Sequence, residues 1–224
     1  MEHPDRALEI EEWEELVARG EVPGPMTVDE FDEIDYASDA PREELLMGWR
    51  VCESFPIPKH QIAMSNLTVL IGLHLMDRKL GLLMAPSAGV LLDEEQRIMV
   101  QPDAAIILHD RMHVVKEKRM EASPNLAIEA LSPSTSRRDR VNKLEWYRRY
   151  GVDEYWIVDV KKQHVDVYDL TAGPEQPPVR FGGPEKIISR VLPDFELKAE
   201  WIFGPLHEHA IPLVFMKDGV PGKG

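Results

Sequence analysis

Two acidic residues stand beside neighbouring apolar runs, where their carboxylates could do chemistry. Asp103 follows Pro102 and precedes the run AAIIL, and Glu129 lies inside the run NLAIEAL of residues 125–131. An ionised carboxylate within a buried strand is costly unless a cation pairs with it. If the two runs pair in antiparallel fashion, both carboxylates reach one point. Their mutual repulsion then favours a hard divalent cation between them, Mg²⁺ or Mn²⁺.

A basic residue follows a short distance along the chain. Lys143 lies on the helix predicted after residue 135, one turn beyond Asp139. An ammonium group there can pair with the acids, hold a scissile phosphate or orient an attacking water. Two acids and a lysine around one metal form a set suited to phosphodiester hydrolysis, and the carbonyl of Ala130 can add a ligand. A plainer interpretation stays open, in which Asp139 caps the helix and Lys143 is its ion-pair partner.

A strand, a helix and a second strand must position these residues. The run 125–131 is bounded by Pro124 and by Ser-Pro-Ser, which predicts a short buried strand. The helix should begin at Ser136 and end at Gly151, because glycine suits a C-terminal cap. Residues 154–160 predict the second strand. The three elements form a βαβ-like unit, which implies a sheet covered by at least one helix.

Three further helices are predicted upstream. An acidic amphipathic helix is expected within residues 1–20, and a short helix capped by Thr27 follows it. A long and largely buried helix should run from Lys59 until Gly81 ends it. The Pro-Ile-Pro segment 56–58 is expected to exclude regular structure.

The remaining apolar runs predict β-structure. We expect a strand over 51–55 and two strands within 82–108, followed by a hairpin connection over 109–123. Beyond Asp159 the alternating pattern predicts a β-hairpin, and a further strand is expected within 187–203.

Composition limits the class of protein. The chain has 224 residues, of which 43% are hydrophobic and 29% charged, as in a soluble globular protein. Its single cysteine, Cys52, excludes an internal disulfide and argues against a structural zinc site. No apolar stretch approaches the roughly 18 residues of a membrane span, and the acidic N-terminus lacks a signal-peptide pattern. A cytoplasmic location without membrane association is expected.

The formal net charge of −14 bears on possible partners. A protein that coats nucleic acid without sequence preference is usually basic, because phosphate contacts supply most of its affinity. The acidity therefore counts against such a coat, but it leaves room for a small metal-dependent nuclease, whose site must itself be acidic. The basic residues crowd onto the helix after residue 135, where they form either a solvated face or a phosphate-binding patch.

The order of these residues closely resembles the Uma-two family of endonucleases, which belongs to the PD-(D/E)xK, restriction-endonuclease-like superfamily. Upstream, Glu44-Leu45-Leu46-Met47-Gly48 resembles the family's E-L-x-x-G element, and His60 stands where its members commonly carry a histidine. The resemblance spans roughly residues 26–205 and is densest in the second half, at Pro102-Asp103, Glu129-Ala130-Leu131-Ser132-Pro133-Ser134-Thr135, Asp139, Lys143, Tyr147, Gly151-Val152 and residues 154–159. It implies an α/β fold with a restriction-endonuclease-like core, a central mixed β-sheet flanked by α-helices, a divalent-metal site and nuclease activity.

One position departs from the superfamily pattern. The lysine of (D/E)xK is replaced by Leu131, and the resemblance places a lysine on the following helix, where Lys143 matches it. A residue on a neighbouring element can deliver its ammonium to the same point. If Lys143 faces away from the acids, the site is incomplete.

These observations combine into one functional prediction. The chain is expected to be a Mg²⁺- or Mn²⁺-dependent endonuclease that hydrolyses DNA. It is expected to act as a homodimer, because duplex cleavage needs two sites and the acidic amphipathic N-terminus offers an interface. Predicted catalytic residues are Glu44, Asp103, Glu129 and Lys143. The predicted metal ligands are Asp103, Glu129 and the carbonyl of Ala130, with Glu44 supporting the metal or its water.

Two other functions stay open. One is an inactive relative that kept the fold as a binding or scaffolding module, and the other is a hydrolase of a smaller phosphoester or of an RNA end. We expect Tyr147, Tyr155 and Trp156 to be core or interface aromatics. The predicted organisation is a helical extension over residues 1–25, a restriction-endonuclease-like domain over 26–205 and a tail over 206–224.

Overall fold

A computed structural model of the chain describes residues 7–34, 42–52, 56–132 and 136–205. The helices are α1 (Ile10–Arg19), α2 (Val28–Asp32), α3 (Pro58–Arg78), α4 (Ser136–Arg138) and α5 (Leu144–Arg149), with a π-helical turn (Asp139–Lys143) joining the last two and short 3₁₀ helices at His109–Val114 and Ala199–Ile202. The strands are β1 (Glu43–Leu46), β2 (Trp49–Cys52), β3 (Gly81–Met84), β4 (Val90–Asp93), β5 (Ile98–Val100), β6 (Ala104–Leu108), β7 (Leu126–Ala130), β8 (Glu154–Asp159), β9 (His164–Asp169) and β10 (Val179–Gly182).

A six-stranded sheet forms the centre of the fold, in the order β10-β9-β8-β7-β6-β3. Strands β7 and β8 are parallel, with Glu129 opposite Ile157, and the other neighbours in this sheet are antiparallel. The helical segment 136–149 connects the parallel pair, which confirms the predicted βαβ-like unit. A mixed sheet with helices against it confirms the predicted fold class.

A smaller antiparallel sheet, in the order β2-β1-β5-β4, packs against one side of the large sheet. Along β7 the side chains alternate between two cores, as expected for a strand buried on both faces. Leu126 and Ile128 join the core that contains α3, whereas Ala127 joins the core formed with α1, α5 and the small sheet. Glu129, next to Ile128, therefore points to the side where the small sheet and the helical segment meet.

The N-terminal helix is part of this second core. Glu9 and Glu12 form a capping box at the start of α1, and its apolar residues Ile10 and Trp13 are buried. The Trp13 indole donates to the carbonyl of Leu46 at 3.2 Å, and its ring meets Trp146 edge-on at 6.1 Å between centroids. The apolar side of α1 is thus used within the chain.

The long helix differs from prediction at both ends. Pro58 occupies its first turn, where a missing N–H costs nothing, so proline begins the helix instead of preventing it. The helix ends at Arg78, and Lys79 takes the left-handed conformation with φ of 51°. The prediction that Gly81 ends the helix is wrong: Gly81 begins β3, where a Cβ atom would lie 2.1 Å from the carbonyl oxygen of Ile107. The close approach of β6 is what requires glycine.

The β-structure also differs from prediction in three places. Residues 82–108 hold parts of four strands divided between the two sheets, not two strands. The stretch 109–123 begins with a 3₁₀ helix, and only its second half folds back as a hairpin, with Val115 bridged to Met120. Within 187–203 there is no strand: bends and a turn bring the chain back on itself, with Lys186 bridged to Lys198, and a second 3₁₀ helix follows. The strand predicted over 51–55 ends at Cys52, and residues 53–55, like the predicted tail 206–224, lie outside the described residues.

Candidate active site

The lysine of the candidate site reaches the acids from the helical segment. Lys143 is the last residue of the π-helical turn and is fully buried. A π turn inserts one residue into a helix and changes which side chains share a face. In this segment the polar residues Arg138, Asp139 and Lys143 are all buried, as are Trp146 and Tyr147 one turn further on. The helix therefore presents two cations to the acids of the neighbouring sheets.

Lys143 joins two carboxylates that come from different sheets. Its Nζ lies 2.6 Å from Oε1 of Glu129 on β7 and 2.9 Å from Oε1 of Glu44 on β1. Tyr147, one turn along the same helix, donates its hydroxyl to the same oxygen of Glu129 at 3.0 Å. The ammonium thus lies beside the carboxylate of Glu129 near the end of β7.

Glu44 contacts a backbone N–H and the side chains of two cations, Lys143 and Arg138. Its Oε1 accepts the backbone N–H of Gln101 at 2.6 Å, and its Oε2 lies 2.9 Å from a guanidinium nitrogen of Arg138. Arg138 also lies 3.3 Å from Oδ1 of Asp139. Because these groups are buried, their charges interact strongly and each needs its partner.

Asp103 sits at the start of β6, next to the end of β7. Its Oδ2 accepts the backbone N–H of Ala130 at 2.8 Å and lies 3.3 Å from Nε2 of His60. Its Oδ1 accepts a hydrogen bond from Arg42 at 2.8 Å. Arg42 also contacts the backbone carbonyl and the side-chain amide oxygen of Gln101.

The acids have different protonation behaviour because their surroundings differ. Burial acts to raise the pKa of Asp103, but the hydrogen bond from His60, the charge of Arg42 and the Ala130 N–H hold it well below its ordinary value. Burial acts on Glu44 in the same way, and the charges of Lys143 and Arg138 bring its pKa below the ordinary value.

Glu129 shifts in the opposite direction. Burial raises its pKa well above the ordinary value; Lys143 opposes this, and the nearby carboxylates of Asp139, Asp103 and Glu44 add to it. Carboxyl groups whose pKa values are driven apart by their surroundings are a common feature of acid–base and metal sites.

The donor set fits a divalent cation in its chemistry. Two carboxylates and a backbone carbonyl, from Asp103, Glu129 and Ala130, are oxygen ligands of the kind that Mg²⁺ and Mn²⁺ take. The crowding of acids around Glu129 is what a cation would relieve. Over the described ranges, no cluster of three or more His, Cys, Asp or Glu side chains has an arrangement that could hold a metal ion. A site here would therefore depend on the carbonyl and on the substrate or water for its remaining ligands.

The structure brings the four predicted catalytic residues into one region, with Lys143 directly between Glu44 and Glu129. Sequence reasoning missed the cations Arg138 and Arg42, which hold Glu44 and Asp103. It gave His60 no role, although the imidazole contacts Asp103. Tyr147 is a core aromatic, as predicted, but its hydroxyl also bonds Glu129.

Fold and site together define an α/β protein with a restriction-endonuclease-like core, whose acids and lysine meet at the ends of adjoining strands. The model of the Uma2 family, described as "Putative restriction endonuclease", matches residues 28–200. The chain belongs to this family, as its resemblance predicted, and so to a class of restriction-endonuclease-like nucleases.

A solved structure has a similar fold. It is the crystal structure of "a putative nuclease belonging to DUF820" from Anabaena variabilis ATCC 29413, with a TM-score of 0.66 and 19% sequence identity. The match covers 80% of this chain and 98% of the other. None of the curated proteins matches the chain. Among the described residues, no helix is both long and apolar enough to cross a membrane.

Proposed function

We propose that this protein is a metal-dependent endonuclease that hydrolyses DNA phosphodiester bonds, with Asp103, Glu129, Glu44 and Lys143 as its site. The observation that carries the proposal is the position of the Lys143 ammonium, 2.6 Å from Glu129 and 2.9 Å from Glu44. It supports the view that a lysine from the helix takes the place of the missing lysine at Leu131. Membership of a restriction-endonuclease-like family supports the same reaction class.

Each residue has a distinct role in this proposal. Asp103, Glu129 and the carbonyl of Ala130 would hold Mg²⁺ or Mn²⁺. A bound divalent ion would polarise the scissile phosphate and lower the pKa of an attacking water. The N–H of Ala130 fixes the orientation of Asp103, and the hydroxyl of Tyr147 fixes that of Glu129.

The two basic side chains complete the arrangement. The Lys143 ammonium would orient the water or balance the negative charge that grows on the phosphate. Arg138 holds Glu44 by a buried ion pair and is a positioning residue. Because Glu44 lies 2.9 Å from the Lys143 ammonium, it would direct that ammonium and so support the water indirectly.

The test is cleavage of DNA with and without metal. Supercoiled plasmid and circular single-stranded DNA are incubated with Mg²⁺, with Mn²⁺ or with EDTA. We expect cleavage only with metal, and a loss of about hundredfold or more in Glu129→Gln and in Lys143→Met. Glu196→Gln, at an exposed acid that pairs with Lys186, is the matched control and should cleave like the parent. Activity that survives Glu129→Gln in metal would overturn the proposed site.

A second candidate, the binding or scaffolding module, is favoured by one specific observation. The ion pairs are closed: Lys143 is fully buried and Glu44 is 1% exposed, so these charges can act as a purely structural network. This candidate predicts that no phosphoester is cleaved and that calorimetry detects no Mg²⁺ or Mn²⁺ binding. If the protein binds metal but cleaves neither DNA, the result would favour a hydrolase of a smaller phosphoester or of an RNA end. Hydrolysis of bis(p-nitrophenyl) phosphate and of a short RNA would test that function.

We also propose that the chain pairs with a second copy through the outer side of α3. Four apolar side chains there are exposed: Ile62, Val69, Leu73 and Met76. Ile62 and Met76 lie seven residues on either side of Val69, so a two-fold axis at Val69 would set Ile62 of one copy against Met76 of the other. The spacing is thus self-complementary, as a symmetric interface requires.

Light scattering after gel filtration tests this pairing. Val69→Glu should convert a dimer to a monomer, whereas Met112→Glu, at an exposed apolar residue elsewhere, should not. A monomeric parent, or a Val69→Glu variant that stays dimeric, would rule out this interface.

A further inference from the structure

A cavity of about 360 Å³ lies one side chain away from Asp103. Its walls come from α2, from the ends of β1 and β5, and from residues 118–119. Arg42 connects the cavity to the candidate site, because it lines the cavity and donates to Oδ1 of Asp103 at 2.8 Å. A group bound by Arg42 would therefore lie next to a predicted metal ligand.

The charged groups of the cavity favour an anion. Among the described residues, the lining holds three cations, Arg42, Lys118 and Arg119, and two acids, Asp32 and Glu43. Arg119 pairs with Asp32, Arg42 pairs with Asp103, and Glu43 pairs with a cation outside the cavity at 2.9 Å. Lys118 has no ion pair among the described residues, so it gives this lining its net positive charge.

Arg119 has hydrogen-bonding capacity to spare. Its Nε is buried and has no hydrogen-bond partner among the described residues, although the side chain pairs with Asp32. A buried donor without an acceptor is costly, but this Nε has almost no accessible surface, so the phosphate is assigned to the other lining cations, Arg42 and Lys118. Phosphate oxygens are the acceptors that arginine binds best.

Four of the other described lining residues are apolar, Phe31, Ile34, Met99 and Val100, and the remaining two are Gly89 and Gln101. The cavity is also limited in size. The volume is near the lower end of the range of about 300–1,000 Å³ typical of small-molecule sites. A nucleotide combines an anionic phosphate with a flat, largely apolar base. A duplex, whose major groove alone is about 12 Å wide, cannot enter such a cavity, whereas one base out of its stack can.

We infer that this cavity holds one nucleotide of an unpaired strand, with its phosphate at Arg42 and Lys118 and its base against the apolar wall. The inference deepens the proposed function and rests on it for the chemistry: the substrate class would be single-stranded or locally melted nucleic acid. The binding itself does not depend on cleavage, so the two can fail separately.

The experiment measures binding without turnover. The full-length parent is kept in EDTA and titrated, by fluorescence anisotropy, into a labelled single strand of about ten nucleotides and into a hairpin duplex of the same sequence. We expect the single strand to bind about tenfold more tightly or better. In Lys118→Glu its affinity should fall about tenfold, and the slope of log affinity against log salt should decrease by about 0.7 for each phosphate that the protein no longer neutralises. Lys118 is exposed, so this variant should fold.

The matched control reverses the same charge elsewhere. Lys186→Glu, at an exposed lysine near the β10 edge of the large sheet, should bind like the parent. DNA and RNA strands of one sequence are compared. Tight binding of either strand supports a nucleotide-binding role for the cavity, and the tighter of the two shows whether the site prefers deoxyribose or ribose. Equal affinity for duplex and single strand, equal effects of the two substitutions, or no binding at all would overturn the inference. Binding without cleavage in metal would retain the cavity and refute the proposed nuclease.

Discussion

The Lys143 ammonium lies 2.6 Å from the Glu129 carboxylate, although the two residues come from a helix and from the strand before it. Both groups are buried, with Glu129 only 3% exposed. The pair therefore links the helical segment to the central sheet, and through Glu44 it also links both to the small sheet. An ion pair in this position bears on stability as well as on the proposed chemistry.

The first prediction removes the ammonium. Lys143→Met leaves Glu129 and Glu44 buried without it, and breaking a buried pair from one side costs about 3–5 kcal/mol. The free energy of unfolding, from urea denaturation, should fall by that amount. The double substitution Lys143→Met/Glu129→Gln also removes one of the uncompensated acids, so we expect it to recover part of the lost stability. The double-mutant cycle should give an interaction energy of about 1–3 kcal/mol between residues 143 and 129.

Lys186→Met provides the comparison for this series. Its exposed pair with Glu196 should contribute less than about 1 kcal/mol. A Lys143→Met variant no less stable than Lys186→Met would mean that the buried pair contributes nothing to folding.

A second prediction uses two adjacent arginines. Arg138 is fully buried against Glu44, whereas the side chain of Arg137 is 77% exposed and lies 3.1 Å from Glu14. Arg138→Met should lower the free energy of unfolding by about 3–5 kcal/mol, and Arg137→Met by less than about 1 kcal/mol. Arg138→Lys should recover only part of the loss, because an ammonium cannot reproduce the geometry of the guanidinium. Equal effects at 137 and 138 would contradict the burial described for Arg138.

These arginines show where sequence reasoning stops. The motif order indicated Glu44, Asp103, Glu129 and Lys143, and the structure places them in one region. Nothing in the pattern distinguishes Arg138 from Arg137, because they are adjacent residues of the same type and only their surroundings in the fold decide that Arg138 is buried. A row of arginines on a helix is usually a solvated face, and so the cation that holds Glu44 could not be identified from spacing.

The sheets show the same limit at the level of the fold. The βαβ-like unit was predictable, because its strands are continuous apolar runs with clear turn signals between them. The division of residues 82–108 between two sheets was not predictable, since β4 and β6 have similar apolar runs. β4 pairs with the next strand, β5, whereas β6 pairs with the more distant β3 and β7. Gly81 likewise has the sequence context of a helix stop, and its actual constraint, the backbone of β6, is visible only in the fold.

A third prediction concerns the hydroxyl that supports Glu129. Tyr147→Phe removes the 3.0 Å hydrogen bond to the carboxylate while it keeps the buried ring. We expect a loss of about 1 kcal/mol in the free energy of unfolding. The rate of DNA cleavage at saturating metal should fall about tenfold, because Glu129 is less firmly oriented.

Tyr155→Phe is the control for this substitution. Its hydroxyl, also buried, donates to the backbone carbonyl of Asp139 at 3.2 Å, and among the described residues it makes no hydrogen bond to Glu129. It should cost similar stability and leave the cleavage rate within about twofold of the parent. If both variants lose activity equally, the effect of Tyr147 is on packing and not on Glu129.

The final prediction is the pH dependence that Asp103 imposes. The pKa of this acid is held below its ordinary value of 3.8 in the folded protein, so the unfolded chain binds its proton first as the pH falls. The stabilisation is therefore complete above about pH 4 and is lost as the pH drops through the folded pKa. Asp103→Asn should lower the free energy of unfolding at neutral pH by about 1–3 kcal/mol, and its stability should decline less steeply below pH 4.

Salt separates this effect from that of a surface acid. The pKa of Glu196 is also lowered, by its hydrogen bond and ion pair with Lys186, but that pair is exposed and is screened by salt. The free energy of unfolding is measured by urea denaturation between pH 2.5 and 7, and again at about 1 M salt. The salt should remove any change that Glu196→Gln makes in the slope of this free energy against pH. The change made by Asp103→Asn should remain. The free energy of unfolding of Asp103→Asn could have the same slope against pH as that of the parent at both salt concentrations. That result would show that His60 and Arg42 do not hold this carboxylate in its charged form.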